Sequence, residues 1–210
     1  MAEESTNAPA IRSGRIPTQA RARQRVEKIM EIATELIVEQ GDAMRMSELA
    51  QRAGIPIGSL YQYFPDKAAV VASLAHRFND EGSRCVAEAL GSVQAIKDLG
   101  PCLGEIVDGF YEMYIKNPAM RAVWQATQAS PALQALDAED CAEHVRLLRE
   151  RLTTLLPDTE ITYLELMAVL VMTQIASVVR MAITMPSDTA RPMLALFRSQ
   201  LLAQQFQTPG

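Results

Sequence analysis

Cysteine is scarce in this chain: Cys85, Cys102 and Cys141 are odd in number, far apart and without a CxxC pair. That excludes a disulfide framework and a zinc knuckle, and predicts reduced, mostly packed thiols. Histidine is scarcer still, with only His76 and His144. No GxSxG, HExxH, phosphate-binding loop or dinucleotide fingerprint occurs, so nothing points to a catalytic residue. Asp140, Glu143 and His144 share one expected helix, but a carboxylate-bridged metal bundle needs a second such set, and none is present. A helical metalloenzyme is therefore a remote alternative, and no metal or cofactor is expected. Aromatic residues make up 5% of the 210 positions, and Gly and Pro together only 21. With 49% hydrophobic and 21% charged residues, this is the composition of a globular chain and not of a disordered or collagenous one. The uncharged run 166–179 in the apolar C-terminal half falls short of the roughly 18 to 20 residues that cross a bilayer. No transmembrane helix is expected. Glu3 and Glu4 precede the first arginines with no apolar stretch, so no secretory signal is expected either, and a cytoplasmic location is the expectation.

The net charge of −5 is unevenly distributed. Residues 11–28 hold Arg12, Arg15, Arg21, Arg23, Arg25 and Lys28 against Glu27 alone, a charge of +5. Residues 81–210 hold 10 basic against 15 acidic side chains and account for the whole −5. A basic front and an acidic back suggest that the first 80 residues meet a polyanion while the rest need not touch it. A basic tail that merely solvates the N-terminus would give the same count.

Residues 1–17 lack periodicity and read as a flexible basic arm. From Thr18, Val26, Ile29, Met30, Ala33 and Ile37 form one apolar stripe of helical period, with Glu27, Glu31, Glu35 and Glu39 off it. Gly41 ends this helix as a left-handed cap. A short helix with Leu49, Ala50 and Ala53 stops at Gly54, and a third opens with Pro56. Asp66 is placed to cap a fourth, burying Val70, Leu74 and Phe78. Beyond residue 80 no strand-like alternation appears. Helices are expected at 99–117, 119–129, 137–156, 159–185 and 188–206, separated near Pro118, Pro131, Pro157 and Pro186. The fold class is all-α. Residues 161–185 are apolar nearly all round, interrupted by Glu165, Gln174 and Arg180, and Leu194, Phe197, Leu201 and Leu202 follow on the last helix. Two such helices offer more apolar surface than a small domain hides, which predicts a homodimer through a two-fold helical bundle, the alternative being burial within one chain.

Met46 to Tyr63, MSELAQRAGIPIGSLYQY, sets a short helix, a Gly-containing turn and a second short helix within 20 residues, the helix-turn-helix pattern. Leu49, Ala50, Ile55, Leu60 and Phe64 can pack on the first helix, with Ala53 and Gly54 small enough for a close crossing. Pro56, Ile57, Gly58, Ser59, Tyr61, Gln62 and Tyr63 are then free for a groove, with no carboxylate to repel phosphate. Arg45 and Ser47, opening the second helix, are candidates to anchor neighbouring phosphates. The basic-arm arginines, with Arg23 among them, are candidates for a minor groove or for nonspecific charge.

Ala53-Gly54-Ile55, Gly58-Ser59-Leu60-Tyr61 and Tyr63-Phe64-Pro65-Asp66-Lys67 resemble the N-terminal signature of TetR/AcrR-family transcriptional regulators, over about residues 22–72. The C-terminal two thirds are similar to the family in length, helicity and apolar content alone. The resemblance implies a helix-turn-helix DNA-binding domain at 18–65, a helical ligand-binding and dimerisation domain at 66–206 with 66–80 as linking helix, and a tail at 207–210. It implies that Ser59, Tyr61, Gln62 and Tyr63 lie on the recognition helix, the tyrosines donating to phosphates and Gln62 aimed at bases, and that Lys67 meets the DNA backbone. Ile57 stands where the family is often polar, and Tyr63 where it often has His. The implied function is sequence-specific binding of double-stranded DNA by a homodimeric repressor that a small lipophilic effector releases, with Arg77, Phe78 and Asn79 near the path between the sites. Candidate effector contacts are Phe110, Tyr111, Met113, Tyr114, Trp124, Gln128, Met172, Gln174, Arg180 and Met181. Arg180 stands out, because a charge in an apolar helix needs a partner: an acidic ligand, Glu165 or another carboxylate. An architectural DNA-binding protein without an effector is the other reading.

Overall fold

The computed structural model describes residues 18–203, which form nine α-helices and two 3-10 turns, with no strand among them. Residues 1–17 and the tail at 207–210, like the final residues expected for the last helix, lie outside the described residues. The helices are α1 (Thr18–Gln40), α2 (Met46–Ala53), α3 (Ile57–Tyr63), α4 (Lys67–Ser92), α5 (Leu99–Lys116), α6 (Pro118–Gln128), α7 (Pro131–Leu155), α8 (Ile161–Ala182) and α9 (Ser187–Ala203).

Local chemistry sets most of these boundaries. Gly41 and Gly54 have φ of +57° and +68°, the left-handed region that only glycine enters without strain. At Gly54 the backbone N–H closes α2 onto the carbonyls of Ala50 and Gln51. Pro56 stands one residue outside α3, its ψ of 140° extended, so it initiates the helix instead of joining it. Asp66 Oδ1 accepts from Ala69 N at 2.8 Å and caps α4. Asn117 Oδ1 accepts from Ala119 N and Met120 N, with Pro118 in the first turn of α6. Two expectations are corrected. The seventh helix begins at Pro131 and not near 137, because a proline in the first turn opens a helix as readily as it ends one. The fourth helix runs unbroken to Ser92, 26 residues or about 39 Å at 1.5 Å per residue.

Two apolar cores result. In the head, Ile29, Ala33, Leu36 and Ile37 of α1 meet Leu49, Ala53 and Leu60 of the two short helices, Phe64 just after them, and Val70, Val71 and Leu74 of α4. Val123 of α6 and Leu133 of α7 join the same cluster, so the body reaches into the head. In the body, α5, α7, α8 and α9 surround Leu103, Val107, Leu148, Leu152, Leu164, Ala168, Ile175 and Leu194, together with Val86 and Leu90 from the far end of α4. Both cores therefore share α4.

The described span of α8 is long and apolar enough to cross a membrane by length and composition, although no uncharged run of that length exists. Its Leu164, Ala168, Val171, Met172, Ile175 and Val179 belong instead to the body core. Its opposite face carries Leu166 (58% exposed), Val169, Leu170 (61%) and Met181 in the open, with Leu196 of α9 also exposed. The three cysteines are free thiols, Cys102 buried, Cys141 half-buried and Cys85 exposed, so the expectation of mostly packed thiols fails at Cys85.

Candidate nucleic-acid interface and effector cavity

The helix α3 has seven residues, and its phase decides what each can do. Leu60 is fully buried and Phe64, just beyond, nearly so, which turns Ile57, Gly58, Tyr61 and Gln62 outward. No residue of α3 is charged. A Cβ added at Gly58 would meet nothing within 4 Å, so the fold itself does not require glycine there. Pro56, Arg45 and Ser47 are also exposed beside it, while Ser59 is half-buried. Tyr63 differs from expectation: it packs against the head core, because it follows Leu60 by three residues and shares its face. It is half-buried there.

Lys67 also differs. Its Nζ donates to the backbone oxygen of Asp42 at 2.7 Å and to Asp42 Oδ1 at 2.6 Å, tying the start of α4 to the turn after α1. Arg52 is likewise occupied, donating to Glu39 and Glu48. Arg21, Arg23 and Arg25 are exposed on the first turns of α1, helical and not part of an extended arm, and neither they nor Arg45 form an ion pair with a described residue. Arg12 and Arg15 lie outside the described residues. No local signal marks Asp42 as a partner for Lys67, 25 positions away, since the contact exists only once α1 and α4 are packed.

In the body, a cavity of about 30 Å³ lies between α4, α5, α6, α7 and α8. That is room for about one water molecule. Of the candidate effector contacts, Tyr114, Trp124 and Arg180 line it, and so do Phe78 and Asn79 from the proposed transmission path. Tyr114 and Trp124 meet edge to face, centroids 6.4 Å apart. Phe110 and Met113 line a separate apolar groove of about 220 Å³ with Cys85, Val86 and Ile106. The remaining candidates are elsewhere. Tyr111 is buried in the body core with the Arg191 guanidinium 5.7 Å above its ring, and Met172 is core packing. Gln174 and Met181 point outward from α8, and Gln128 is exposed, donating to Asp137 Oδ2 at 2.6 Å. Helix phase is the reason: α8 shows the cavity only its last turn, at Arg180.

Two cavity residues outside the candidate effector contacts, Asp137 and Asp140, dominate the electrostatics. On α7 one stripe runs Leu133, Asp137, Asp140, His144, Leu148, Leu152, so three polar groups interrupt an otherwise buried apolar face. That interruption was the available signal. Arg180 Nη2 pairs with Asp137 Oδ2 at 3.4 Å, the carboxylate partner its apolar helix demanded, whereas Glu165 lies beside Arg149. Burial first, and then the charge of Asp137, push the Asp140 carboxyl up to about 7. Burial with the two aspartates raises the Tyr114 phenol to about 12. His144, held by Ser83 Oγ at 3.2 Å and flanked by Phe110, is lowered by burial to about 4 and is neutral at pH 7. Asp140 Oδ1 and Trp124 Nε1 are buried with no hydrogen-bond partner. Among the described residues no group of three metal-ligating side chains occurs.

A carboxylate-free recognition helix held outward on a three-helix head, with a larger helical body behind it, is the architecture of a helix-turn-helix DNA-binding regulator. The comparisons with known proteins agree. The family model for bacterial regulatory proteins of the tetR family matches residues 29–74, and that for the tetracyclin repressor-like C-terminal domain matches residues 97–208. The chain belongs to the TetR family of transcriptional regulators. No curated protein matches it. Among solved structures, it is similar to a TetR-family regulator from Pectobacterium atrosepticum, with a TM-score of 0.71 and 16% identity over 91% of this chain and 100% of that one. A putative TetR-family regulator from Syntrophomonas wolfei gives 0.67 and 11% over 90% and 100%. The regulator FadR from Bacillus subtilis, in complex with stearoyl-CoA, gives 0.63 and 18% over 88% and 99%. At these identities the likeness is one of fold.

Proposed function

We infer that the chain is a homodimeric repressor whose hold on its operator is released by a small molecule entering the cavity beside Arg180. The observation that carries the reading is the helix α4. It begins at Lys67 against the head, lines the cavity at Ala75, Phe78 and Asn79, and ends in the body core at Leu90. A ligand that widens the cavity must move this helix or its neighbours, and with them the recognition helix. Two recognition helices need a separation of about 34 to 36 Å to enter successive major grooves, so a few ångströms suffice to weaken binding. Ligand and DNA then oppose each other through differential affinity for two dimer shapes. The cavity is far below the roughly 300 Å³ at which drug-sized pockets start, so an effector must widen it to enter.

The exposed stripe Leu166, Val169, Leu170 and Met181 on α8, with Leu196 on α9, supports pairing through the two C-terminal helices. On the DNA side, Tyr61 is the phosphate donor and Gln62 the base reader, with Ile57 and Gly58 in apolar or backbone contact. Arg23, Arg45, Ser47 and Lys67 flank them on the phosphates. Tyr63 contributes chiefly by packing. Nothing in the reading calls for an enzymatic step.

Fluorescence anisotropy with labelled genomic promoter fragments tests this division of roles. Tyr61→Ala and Lys67→Ala should weaken binding to all fragments alike, while Gln62→Ala mainly narrows the gap between the preferred fragment and the others. Equal losses on every fragment for all three variants would contradict it. An architectural protein would show no fragment preference and no release by any compound.

A further inference from the structure

Resting on the reading of the α4–α8 cavity as the effector site, we propose that the effector is an organic cation, a protonated amine carried on a compact apolar body. The walls hold two carboxylates, Asp137 and Asp140, against one cation. That cation, Arg180, is already paired with Asp137, which also accepts from Gln128. Asp140 is left without one: its Oδ1 is buried and unbonded, and the nearest base, His144 Nε2, stands 3.8 Å away, is bonded to Ser83 and is neutral. Arg180 offsets part of the negative field at this carboxyl from beyond Asp137, while Asp137, Asp80 and Glu143 add to it. The remaining lining is aromatic and apolar, with Phe78, Tyr114, Trp124, Met120, Val123 and Leu136.

A carboxylate lacking its counter-ion among aromatic rings favours an ammonium group on both counts, through a charge-assisted hydrogen bond and through the ring faces. An anionic ligand meets the opposite balance, since Arg180 would have to leave Asp137 and leave two half-buried carboxylates facing the newcomer. An inorganic cation has too few ligands, as no group of three such side chains exists among the described residues. The ammonium head takes the water-sized space, and its apolar body opens the wall between α4 and α7. At that wall the side chain of Asn79 reaches Leu136 O at 3.5 Å, the contact that the body of the ligand would displace.

Trp124 is the only tryptophan of the chain and lines the cavity, so its emission reports occupancy directly. The test titrates 3-phenylpropylamine, 3-phenylpropanol and 3-phenylpropionate at pH 8 into the full chain, following Trp124 fluorescence. The amine should bind saturably and at least tenfold more tightly than the other two. Asp140→Asn, an isosteric change whose folding is checked by circular dichroism, should bring the amine down to the affinity of the alcohol. Arg180→Met should tighten the amine and weaken the propionate. Preferential binding of the alcohol or the propionate, or an amine affinity unmoved by Asp140→Asn, overturns the cationic assignment while leaving an effector cavity in place. No response of Trp124 to any of the three overturns both the assignment and the cavity's role.

Discussion

In the wild-type chain at pH 8, folding must hold an ionised carboxylate at position 140 in a place where burial and the charges of Asp137, Asp80 and Glu143 oppose it and only Arg180 works the other way. Asp140→Asn removes that cost. The unfolded carboxyl ionises near 3.8 and the folded one near 7, so the folded state binds the proton more tightly. Its contribution to stability is fully present below pH 3.8, declines between 3.8 and 7, and is lost above. A gap of about three pH units at about 1.4 kcal/mol each amounts to about 4 kcal/mol. His144, buried and neutral with its pKa lowered to about 4, acts in the opposite direction, its contribution being lost as pH falls below 6.5 toward 4. It is present in both proteins and cancels in their difference. Urea unfolding at one fixed protomer concentration, at pH 4, 5.5, 7 and 8.5, gives that difference. The advantage of Asn over Asp should grow by about 4 kcal/mol across the series. A difference that stays flat, or one that favours Asp as pH rises, would refute the account of a buried, uncompensated carboxylate.

Three further outcomes follow from the same geometry. Gly58→Ala meets no atom of the fold and should leave stability unchanged or raise it by up to about 1 kcal/mol through helix propensity, yet weaken DNA binding where the backbone of α3 approaches a phosphate. Thermal melts beside anisotropy separate the two effects, and undiminished DNA affinity would count against α3 as the groove element. Asp42→Asn removes the charge that occupies Lys67, so affinity for DNA should rise several-fold at low salt and the slope of log K against log salt should steepen by about 1; an unchanged slope would mean that Lys67 stays off the phosphates. Leu170→Glu places a charge in the middle of the exposed apolar face of α8 and should yield monomers by light scattering, with DNA affinity reduced more than tenfold. A variant that remains dimeric would place the interface elsewhere.

The polar interruptions of α7 mark how far a sequence can be read. Asp140 and His144 stand four apart on one stripe, and their types invite a metal-site reading until the packing shows what surrounds them. The neighbours that set their chemistry, Ser83, Trp124 and Arg180, come from three other helices and from as far as 61 positions away in the bonded case of Ser83. Among the effector candidates, Gln174, Met181 and Arg180 sit within one short stretch of α8, yet only Arg180 lines the cavity. A period of 3.6 residues separates the faces of a helix but does not say which face meets which neighbour.

The amino-acid order alone determined what depends on nearest neighbours along the chain. Left-handed turns fall at Gly41 and Gly54, a cap forms at Asp66, and the apolar stripe of α1 is buried in the head, because torsional sterics and hydrogen bonds within one turn need no distant partner. The all-helical class follows from the same local terms. Tertiary packing alone decided that Lys67 is bound to Asp42, that Tyr63 is half hidden, that α4 serves both cores and that Asp140 turns a buried, unbonded Oδ1 inward. Those outcomes depend on helices remote in sequence arriving at the same place, and burial, which sets both the contacts and the proton affinities, exists only after they have done so.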